Sequence, residues 1–366
     1  MGKKICHITS AHGRYDVRIF MKECASLAQK GYDVTLIVND NKDDEIMQNV
    51  KIISTKLQPK NRMQRFSKSR KVLLSKALEV DADIYHLHDP DLLPLGNKLR
   101  SKGKKIIFDS HEDVPQQIKD KQWIPKMLRG FIANIYSLYE KISLKKYNAI
   151  ISVTPHVVER LLKINPNTVM ITNYPIINAA DEVQRAPELA ICFAGGISSQ
   201  WCHDKVLMAI DKIDNIKYIL AGNGTEDYMD LLKSLPAWSK VDYKGKVPHS
   251  EVKNIYSKST AGIAISYSNQ AKEEGTLGNT KLFEFMEAKL PVVCTNYRLW
   301  KEIVEGNKCG ICVEPKNIKE IENAIRYIIN NPDEVKIMGE NGRRAVIEKY
   351  NWEAQEEILL KLYKGL

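Results

Sequence analysis

A short segment near residue 280 carries the residues best suited to chemistry. It covers residues 273–293 (EEGTLGNTKLFEFMEAKLPVV), where a glycine-containing loop leads into a helix predicted to begin near Thr280. Backbone N–H groups at a helix start attract anions, and Lys281 adds a full positive charge there. Glu284 follows one turn later, where its carboxylate could accept two hydrogen bonds from a ribose diol. The alternative is an ordinary first-turn glutamate beside a surface lysine.

A second polar run, YHLHDPD over residues 85–91, closes a predicted strand. Because the carboxyl ends of strands face the ligand site, we expect His88 to face a ligand, and we expect His86 to be structural. A neutral imidazole suits ligand positioning because it both donates and accepts hydrogen bonds. Asp89 and Asp91 have the D-x-D spacing that could instead hold a divalent metal. Since the nucleotide features lie in the other half of the chain, we expect no metal.

Two further polar groups are predicted to lie near ligand. Residues 109–115 (DSHEDVP), including His111, follow another strand, and Arg18 lies in the first turn of a helix preceded by Gly13. Ligands of parallel sheets bind beyond the carboxyl ends of the strands, so these residues are expected to reach the site. Arg18 could bind a substrate phosphate bidentately, or it could simply pair with Asp16.

The elements that position these residues alternate between strand and helix. A helix is predicted over 16–30, with Gly31 at its C-terminal cap. Strands are predicted at 4–10, 33–39, 84–87, 105–109, 149–154, 168–172, 189–194, 217–221, 241–243, 262–266, 291–295 and 310–313. This order indicates two doubly wound α/β domains with a ligand cleft between them. The predicted domains are 1-175 and 176-348, followed by a helix over 349-366.

The charge of the chain is concentrated in its first half. Residues 1–180 hold 30 Lys and Arg against 18 Asp and Glu, a net of +12, within a whole-chain net charge of +10. Two basic segments, 56–76 and 119–146, contribute most visibly, and the second mixes lysine and arginine with apolar and aromatic residues. This pattern favours an anionic bilayer surface as partner, with a soluble anionic substrate as the alternative. The stacking-aromatic pattern of RNA-binding modules is missing, so we expect no nucleic acid.

Several other classes of protein are excluded. No stretch approaches the ~18 apolar residues of a membrane span, and the first residues lack the apolar run of a secretory signal. The seven cysteines are sparse, and the C-x-x-C at Cys309 and Cys312 lies in a predicted strand, which indicates core thiols of a cytoplasmic protein. Gly195-Gly196 lacks the full dinucleotide fingerprint, so a nicotinamide dehydrogenase is not expected.

Several segments together resemble family four glycosyltransferases. The segment NTKLFEFM over 279–286, followed by Pro291-Val292-Val293, resembles the donor-binding signature of that family. Further resemblances are residues 218–224 (YILAGNG), 243–247 (YKGKV), 306–315 (GNKCGICVEP) and 350–352 (YNW). Residues 15–20 and 109–115 are similar to members that assemble polysaccharides. The resemblance implies the GT-B architecture of two Rossmann-like domains.

The resemblance also implies roles for individual residues. Glu284 would hold the nucleotide ribose, and His88 and Lys281 would act on the donor sugar and diphosphate as catalytic residues. The other donor-binding positions implied are Gly278, Asn279, Thr280, Leu282, Gly222, Gly224, Val247 and Gly196. The acceptor side would hold Gly13, Arg18 and His111.

Two positions depart from the family pattern. Thr276 stands eight residues before Glu284, where the family often has a second glutamate, and residues 195–202 lack the usual basic pair. Lys281, His203, Lys205 or Arg14 is therefore expected to neutralise the donor diphosphate.

The predicted function is that of a metal-independent retaining glycosyltransferase without a cofactor. It would move a sugar from a nucleotide-sugar donor to a saccharide or lipid-linked acceptor in cell-surface polysaccharide synthesis. The expected location is cytoplasmic, peripheral at the inner membrane surface. The alternatives are a non-catalytic nucleotide-sugar-binding paralogue and a GT-B-type epimerase or phosphorylase.

Overall fold

The computed structural model describes residues 3–121, 124–177, 188–267, 274–277 and 280–366. It divides into two compact units. Unit 1 comprises Met1–Asn173 and Trp352–Leu366, and unit 2 comprises Tyr174–Asn351. Among the described residues, no helix combines the length and the apolar character that a crossing of a lipid bilayer requires.

Unit 1 is built on an eight-stranded sheet with the strand order β3-β4-β2-β1-β5-β6-β7-β8. All neighbouring strands pair in parallel except β3 and β4. The strands are β1 (Lys4–Ile8), β2 (Asp33–Val38), β3 (Glu45–Met47), β4 (Val50–Ser54), β5 (Ile84–Leu87), β6 (Lys105–Ser110), β7 (Ala149–Ser152) and β8 (Thr168–Met170).

The hairpin of β3 and β4 is the part of this sheet that the sequence analysis missed. Met47 pairs with Val50, so the turn between them has only two residues. Both turn residues, Gln48 and Asn49, have positive φ values of 50° and 61°. Such a turn matches the twist of paired strands, but the usual Asn-Gly or Asp-Gly signal is absent here.

Unit 2 contains a six-stranded, fully parallel sheet with the order β11-β10-β9-β12-β13-β14. Its strands are β9 (Ala190–Ala194), β10 (Lys217–Ala221), β11 (Val241–Gly245), β12 (Ala261–Ala264), β13 (Val292–Thr295) and β14 (Gly310–Val313). Central strands such as β9 are buried on both faces, which explains their continuous apolar sequences. The sequence pattern predicts an inter-domain linker over 173–187, and its residues 178–187 lie outside the described residues.

Helices cover both sheets. They are α1 (Ala25–Gln29), α2 (Arg62–Gln64), α3 (Arg70–Val80), α4 (Leu93–Ser101), α5 (Val114–Asp120), α6 (Lys126–Leu144), α7 (Pro155–Leu162), α8 (His203–Ile210), α9 (Glu226–Lys233), α10 (His249–Lys258), α11 (Lys281–Glu287), α12 (Arg298–Val304), α13 (Ile318–Asn330), α14 (Pro332–Glu348) and α15 (Trp352–Lys364). Residues Val17–Cys24 and Arg65–Ser69 are π-helical, and Pro90–Leu92, Ser199–Trp201 and Pro236–Lys240 form 3₁₀ turns.

The first helical segment differs from the single α-helix predicted over 16–30. Asp16 is its N-cap and accepts hydrogen bonds from two backbone N–H groups, and Val17–Cys24 is π-helical before α1 begins. Its inner face buries Ile19 and Phe20 together with the charged side chains of Arg18, Lys22 and Glu23. Buried charges require partners, so this helix already points to a polar cluster inside unit 1.

The last helix, α15, packs against unit 1. Leu359, Leu362 and Tyr363 join the core formed by β1 and β2, and the Trp352 indole donates to Ser26 Oγ at 2.9 Å. The division between the units therefore falls at Asn351, whereas the sequence-based boundary falls at residue 348.

Candidate active site

Two glycine turns lie side by side at the carboxyl edge of the unit 2 sheet. Residues 195–197 follow β9, and residues 222–224 follow β10. Gly222 has a φ of +138°, and a Cβ there would lie 1.7 Å from the Gly195 carbonyl oxygen. Only glycine allows the two turns to approach this closely.

Two further glycines predicted for donor binding, Gly224 and Gly196, are enclosed to different degrees. A Cβ at Gly224 would lie 2.9 Å from the Ile197 carbonyl oxygen, whereas a Cβ at Gly196 would meet no atom within 4 Å. Gly196 therefore borders open space, as a turn that approaches a ligand would.

The Glu284 carboxylate lies in the first turn of α11 and is held by three donors. Its Oε1 accepts from Thr280 Oγ1 at 2.6 Å, and its Oε2 accepts from Lys281 Nζ at 2.6 Å and from the Tyr256 hydroxyl at 3.0 Å. Burial alone would raise the pKa of Glu284, but Lys281 and the hydrogen bonds together lower it. The result is an oriented carboxylate anion that keeps 22% of its side chain exposed.

Lys281 connects this carboxylate to the first glycine turn. Its Cε lies 3.2 Å from the position that a Cβ on Gly195 would occupy. Leu282, predicted to bind donor, is only 1% exposed and packs in the core of unit 2, so its side chain is unavailable to a ligand. Val247 is partly buried against the same core.

Of the four residues expected to neutralise a donor diphosphate, Lys281 is the main one that the structure supports. His203 is fully buried, and burial lowers its pKa to about 3, so the prediction that it neutralises a diphosphate is wrong. Arg14, in unit 1, is bound to Asp40 and Glu45. Lys205 pairs at 3.3 Å with the aspartate before it and keeps 35% of its side chain exposed.

The loop before α11 is described only in part. Gly278 and Asn279, both predicted to bind donor, lie outside the described residues. Glu274, a carboxylate near the missing first glutamate of the pair, binds Arg298 through both of its oxygens. The carbonyl of Thr276 accepts a hydrogen bond from the Trp300 indole at 2.8 Å.

In unit 1, Asp89 organises the loop that follows β1. Its buried Oδ2 accepts from Thr9 Oγ1 at 2.7 Å, from the Ser10 N–H at 2.7 Å and from the Ala11 N–H at 3.3 Å. Both oxygens of Asp91 lie 2.9 Å from Ser10 Oγ, which can donate to either. The two carboxylates of the D-x-D sequence therefore act as loop anchors.

Arg18 is a buried structural residue, which corrects the prediction that it binds an acceptor phosphate. Its Nε and Nη2 donate to the two oxygens of Asp109 at 2.7 and 2.9 Å, and its Nη1 donates to the Ile171 carbonyl at 3.0 Å. The side chain is 5% exposed. The alternative, local pairing with Asp16, holds only for the backbone: Asp16 Oδ1 accepts from the Arg18 N–H at 2.9 Å, while the guanidinium binds Asp109.

A second buried carboxylate, Glu23, lies 3.2 Å from Arg18 Nε. Burial raises the pKa of Glu23 well above its usual value. For Asp109, burial acts in the same direction, but Arg18 and then His111 hold its pKa well below the usual value. Arg18 therefore favours the ionised form of Asp109, whereas burial favours the protonated form of Glu23.

Three histidines surround Glu23. His7 Nδ1 lies 2.9 Å from His88 Nε2, and His86 Nδ1 lies 2.9 Å from the Tyr363 hydroxyl. Burial lowers the pKa of all three imidazoles, so they are neutral. His86 is buried, as suits the structural role predicted for it, but the His88 side chain is also 0% exposed. In this structure His88 thus lies behind the surface that a ligand would touch.

Two groups in unit 1 bring metal-ligating atoms within 4.8 Å of one another: His7, Glu23, His86 and His88, and then His88, Asp109 and His111. In the second group, both Asp109 oxygens already accept hydrogen bonds from Arg18. In the first group, Glu23 Oε1 lies 3.2 Å from Arg18 Nε, so a cation bound there would lie beside the guanidinium. Neither group contains the D-x-D carboxylates.

Two histidines at the carboxyl edge of this sheet remain accessible. His111 Nε2 lies 2.9 Å from Asp109 Oδ2, and its side chain is 22% exposed. His12, in the loop after β1, lies 3.3 Å from Asp89 Oδ1 and is 32% exposed. The sequence analysis missed His12. Its position just after the polar end of β1 was the available signal.

The C-x-x-C cysteines are core thiols, as predicted. Cys309 is buried, and burial raises its pKa to about 12. Cys312 Sγ lies 3.6 Å from Cys294 Sγ on the neighbouring strand, and all seven cysteines are free.

Comparisons with known proteins agree with this architecture. The family model for glycosyl transferases group 1 matches residues 178–345, and the model for glycosyltransferase family 4 matches residues 17–173. Two uncharacterised glycosyltransferases of Methanocaldococcus jannaschii are 28% identical over 48% of this chain and 22% identical over 74% of it. The matches span 45% and 70% of those proteins.

Solved structures share the fold across the whole chain. Sucrose-phosphate synthase from Thermosynechococcus elongatus superposes with a TM-score of 0.78 at 17% identity, covering 99% of this chain and 98% of that one. A glycosyltransferase from Rickettsia africae gives 0.72 at 18%, covering 100% and 98%. HepE from Anabaena, solved with UDP and glucose, gives 0.73 at 11% and covers 100% of both chains. The chain therefore belongs to glycosyltransferase family 4 and has the GT-B fold of two Rossmann-like domains.

Proposed function

We propose that the protein is a retaining glycosyltransferase that moves a sugar from a nucleotide-sugar donor to a saccharide or lipid-linked acceptor in cell-surface polysaccharide synthesis. The observation that carries this proposal is the Glu284 carboxylate, held by Lys281, Thr280 and Tyr256 beside the glycine turns. The HepE structures contain UDP and UDP-glucose, which makes a uridine nucleotide the first donor to test.

Unit 2 would bind the donor. Glu284 would accept hydrogen bonds from the two ribose hydroxyls, and the Lys281 ammonium would stabilise the charge that develops on the departing diphosphate. In a front-face reaction, the bond between the anomeric carbon and the diphosphate breaks as the bond to the acceptor oxygen forms. The departing phosphate takes the acceptor proton, so no protein nucleophile is required.

The open side of the glycine turn at Gly196 supports the same placement. The N–H groups of Gly195 and Ile197 donate to the Ala221 and Asn223 carbonyls. A phosphate beside this turn would approach the Gly196 backbone without meeting a side chain, and Lys281 would supply the positive charge. We therefore propose that transfer needs no metal. Activity is expected to survive EDTA, whereas its loss on chelation and recovery with Mn²⁺ or Mg²⁺ would contradict this part of the proposal.

A thermal-shift panel of nucleoside diphosphates and nucleotide sugars tests donor binding. A ligand at 100 times its Kd should stabilise the protein by about 2.7 kcal/mol. We expect UDP and a UDP-sugar to raise the melting temperature, with radiolabelled sugar transfer measured on the best donor. If no nucleotide shifts the transition, the donor site is wrongly assigned.

The surface of α6 supports a membrane-bound acceptor. Along one stripe of this helix, Met127, Phe131, Ile135 and Leu138 are 95%, 65%, 55% and 61% exposed. Their spacing of three and four residues makes one apolar helix face, and lysines occur along the same helix. Such a helix can lie in the interface of an anionic bilayer, where a lipid-linked acceptor is found.

Vesicle binding tests this surface directly. We expect the protein to bind anionic vesicles and this binding to weaken with salt. Neutralising residues of the basic segment 56–76 should reduce the binding free energy by about 1 kcal/mol per charge; these residues are Arg65, Lys68, Arg70 and Lys71. Phe131→Ser should remove the part of the vesicle binding that persists at high salt. Ile337→Ser, at a similarly exposed position in unit 2, should leave that part unchanged. A protein that ignores anionic vesicles at low salt would remove the support for a lipid-linked acceptor.

A second candidate is a nucleotide-sugar-binding paralogue without turnover. Thr276 stands where the family often has a glutamate, and Glu274 is bound to Arg298. Donor binding without transfer, hydrolysis or epimerisation would favour this candidate. A GT-B-type epimerase or phosphorylase would instead turn over donor without a saccharide acceptor or with free phosphate.

A further inference from the structure

We propose that Cys294 and Cys312 of unit 2 form a disulfide bond when the protein reacts with hydrogen peroxide, and that this bond weakens nucleotide binding. The two residues lie opposite each other on β13 and β14, and their Sγ atoms are 3.6 Å apart. The first part of the proposal stands on the geometry of the two thiols alone. The second part rests on the proposed function, because it concerns the donor site.

The strand pairing already provides the spacing that a disulfide requires. Neighbouring strands lie about 4.8 Å apart, within the roughly 4.4–6.8 Å that separates the Cα atoms of disulfide-bonded cysteines. The sulfur atoms need to approach each other from 3.6 Å to about 2.0 Å. β14 is the last strand of its sheet, so it is paired on one side only and is the strand that can take up this movement.

The two thiols differ in their access to solvent, which sets the order of the reaction. Cys312 is partly exposed, whereas Cys294 is completely buried, and burial raises the pKa of Cys294 well above its usual value. The Cys312 thiolate therefore attacks the peroxide first. One peroxide oxygen bonds to sulfur, the O–O bond breaks, and the second oxygen leaves as water, so that Cys312 becomes a sulfenic acid.

The second step joins the two sulfur atoms. The Cys294 sulfur attacks the Cys312 sulfur, the S–O bond breaks, and the hydroxyl leaves as water with the Cys294 proton. In total, two thiols lose two electrons and two protons, and one hydrogen peroxide becomes two water molecules. Disulfides that form in cytosolic proteins are usually transient and respond to the redox state, which agrees with the reduced thiols of this structure.

The pair lies in the core that supports α11. Cys294 belongs to the same buried cluster as Phe285 and Met286 of α11 and Trp300 of α12, and Cys312 packs against this cluster. Protein interiors are close-packed, so bringing the two sulfur atoms together displaces neighbouring side chains. The disulfide is therefore expected to shift α11, the helix that carries the carboxylate proposed to bind the ribose.

The loop that precedes α11 is tied to the same region through α12. The Leu299 N–H donates to the Glu274 carbonyl at 3.0 Å, and the Trp300 indole donates to the Thr276 carbonyl at 2.8 Å. At the other end of α12, the Val304 carbonyl accepts at 2.9 Å from the N–H group just before β14. A movement of β14 therefore reaches this loop through α12.

Peptide mapping of the full-length protein after treatment with hydrogen peroxide tests the disulfide. Trypsin cleaves after lysine and arginine, so it releases Cys294 in residues 290–298 and Cys312 in residues 309–316. We expect the two peptides to be joined after oxidation and separate again after dithiothreitol. Because the second peptide also contains Cys309, Cys309→Ala should keep the joined product and Cys312→Ser should lose it. Separate peptides from the oxidised wild type, or joined peptides from oxidised Cys312→Ser, would overturn the proposal.

Calorimetric titration with UDP tests the effect on the donor site. We expect peroxide to weaken UDP binding by the wild type about fivefold or more, and dithiothreitol to restore it. Cys312→Ser should bind UDP equally well before and after peroxide. Equal affinities of the oxidised and reduced wild type would overturn the link to the donor site. If neither form binds UDP, the proposed donor site is contradicted, and the peptide map still decides whether the disulfide forms.

Discussion

The polar edges of the two sheets are built in opposite ways. In unit 2, the carboxylate Glu284 and two of its three donors come from one stretch, residues 280–284, set beside glycine turns. In unit 1, Arg18 reaches Asp109 across 91 residues, and α15 brings Tyr363 to His86 across 277. The edge in unit 2 is built mainly from neighbours in sequence, whereas the edge in unit 1 is a network of residues that are far apart in sequence.

This difference distinguishes charged residues that can contact a ligand from charged residues that only support the fold. Glu284 is partly exposed and has its pKa lowered, so its charge is available to a ligand. Arg18 and Asp109 neutralise each other in the interior, and the accessible groups are the histidines above them. A charged residue near a site can therefore serve the fold alone, and its partners decide which role it has.

The largest expected effect comes from breaking the buried network. Arg18→Met leaves Asp109 and Glu23 without their guanidinium, and loss of one partner of a buried ion pair costs roughly 3–5 kcal/mol. Urea unfolding measures this change. Arg298→Met, which removes two exposed ion pairs of unit 2, should shift the midpoint far less. Equal effects of the two substitutions would contradict the contrast between the units.

The glycine turns of unit 2 give the next largest effect. Gly222→Ala forces a Cβ against the Gly195 carbonyl oxygen and imposes a positive φ on alanine, which should destabilise the protein by about 1–3 kcal/mol or more. Gly196→Ala meets no atom and should leave stability unchanged or raise it by about 0.4–1 kcal/mol. Thermal unfolding compares the two, and similar losses would show that the turns are not packed as described.

The smallest effect is a titration shift in unit 1. His12 should titrate above 6.5 in NMR, and Asp89→Asn should lower its pKa by removing the hydrogen bond that raises it. Since the folded pKa is the higher one, this interaction stabilises the fold at pH below 6.5. Its contribution disappears as pH rises through the folded pKa. A His12 pKa that does not respond to Asp89→Asn would contradict the assigned contact.

Local patterns in the sequence predicted most of the fold. Strands such as Ile84–Leu87, Lys217–Ala221 and Gly310–Val313 agree residue for residue, because short apolar runs in a buried parallel sheet are distinctive. The strand Glu45–Met47 was missed, because it has only three residues and its turn lacks glycine. The π-helical geometry of Val17–Cys24 leaves no simple mark in the spacing of apolar residues.

Some residues of the candidate site could be predicted and others could not, because only contacts between neighbours in sequence leave a local pattern. Lys281 and Glu284 are neighbours in sequence and in space, so their spacing was enough to pair them. The partners of Arg18 and of His203 come from distant segments, and sequence alone could not show that both side chains are buried. His12 was missed because its supporting carboxylate, Asp89, lies in a distant segment, just after β5.

Calorimetric titration of UDP, the first nucleotide of the proposed donor panel, tests the central claim most directly. We expect Glu284→Ala to keep the fold but to lose roughly 1.5–3 kcal/mol of UDP binding free energy, because hydrogen bonds to a charged group are removed. Glu287→Ala, a carboxylate on the same helix, should bind UDP as the wild type does. A folded Glu284→Ala protein with unchanged affinity for UDP would contradict the assignment of the donor site.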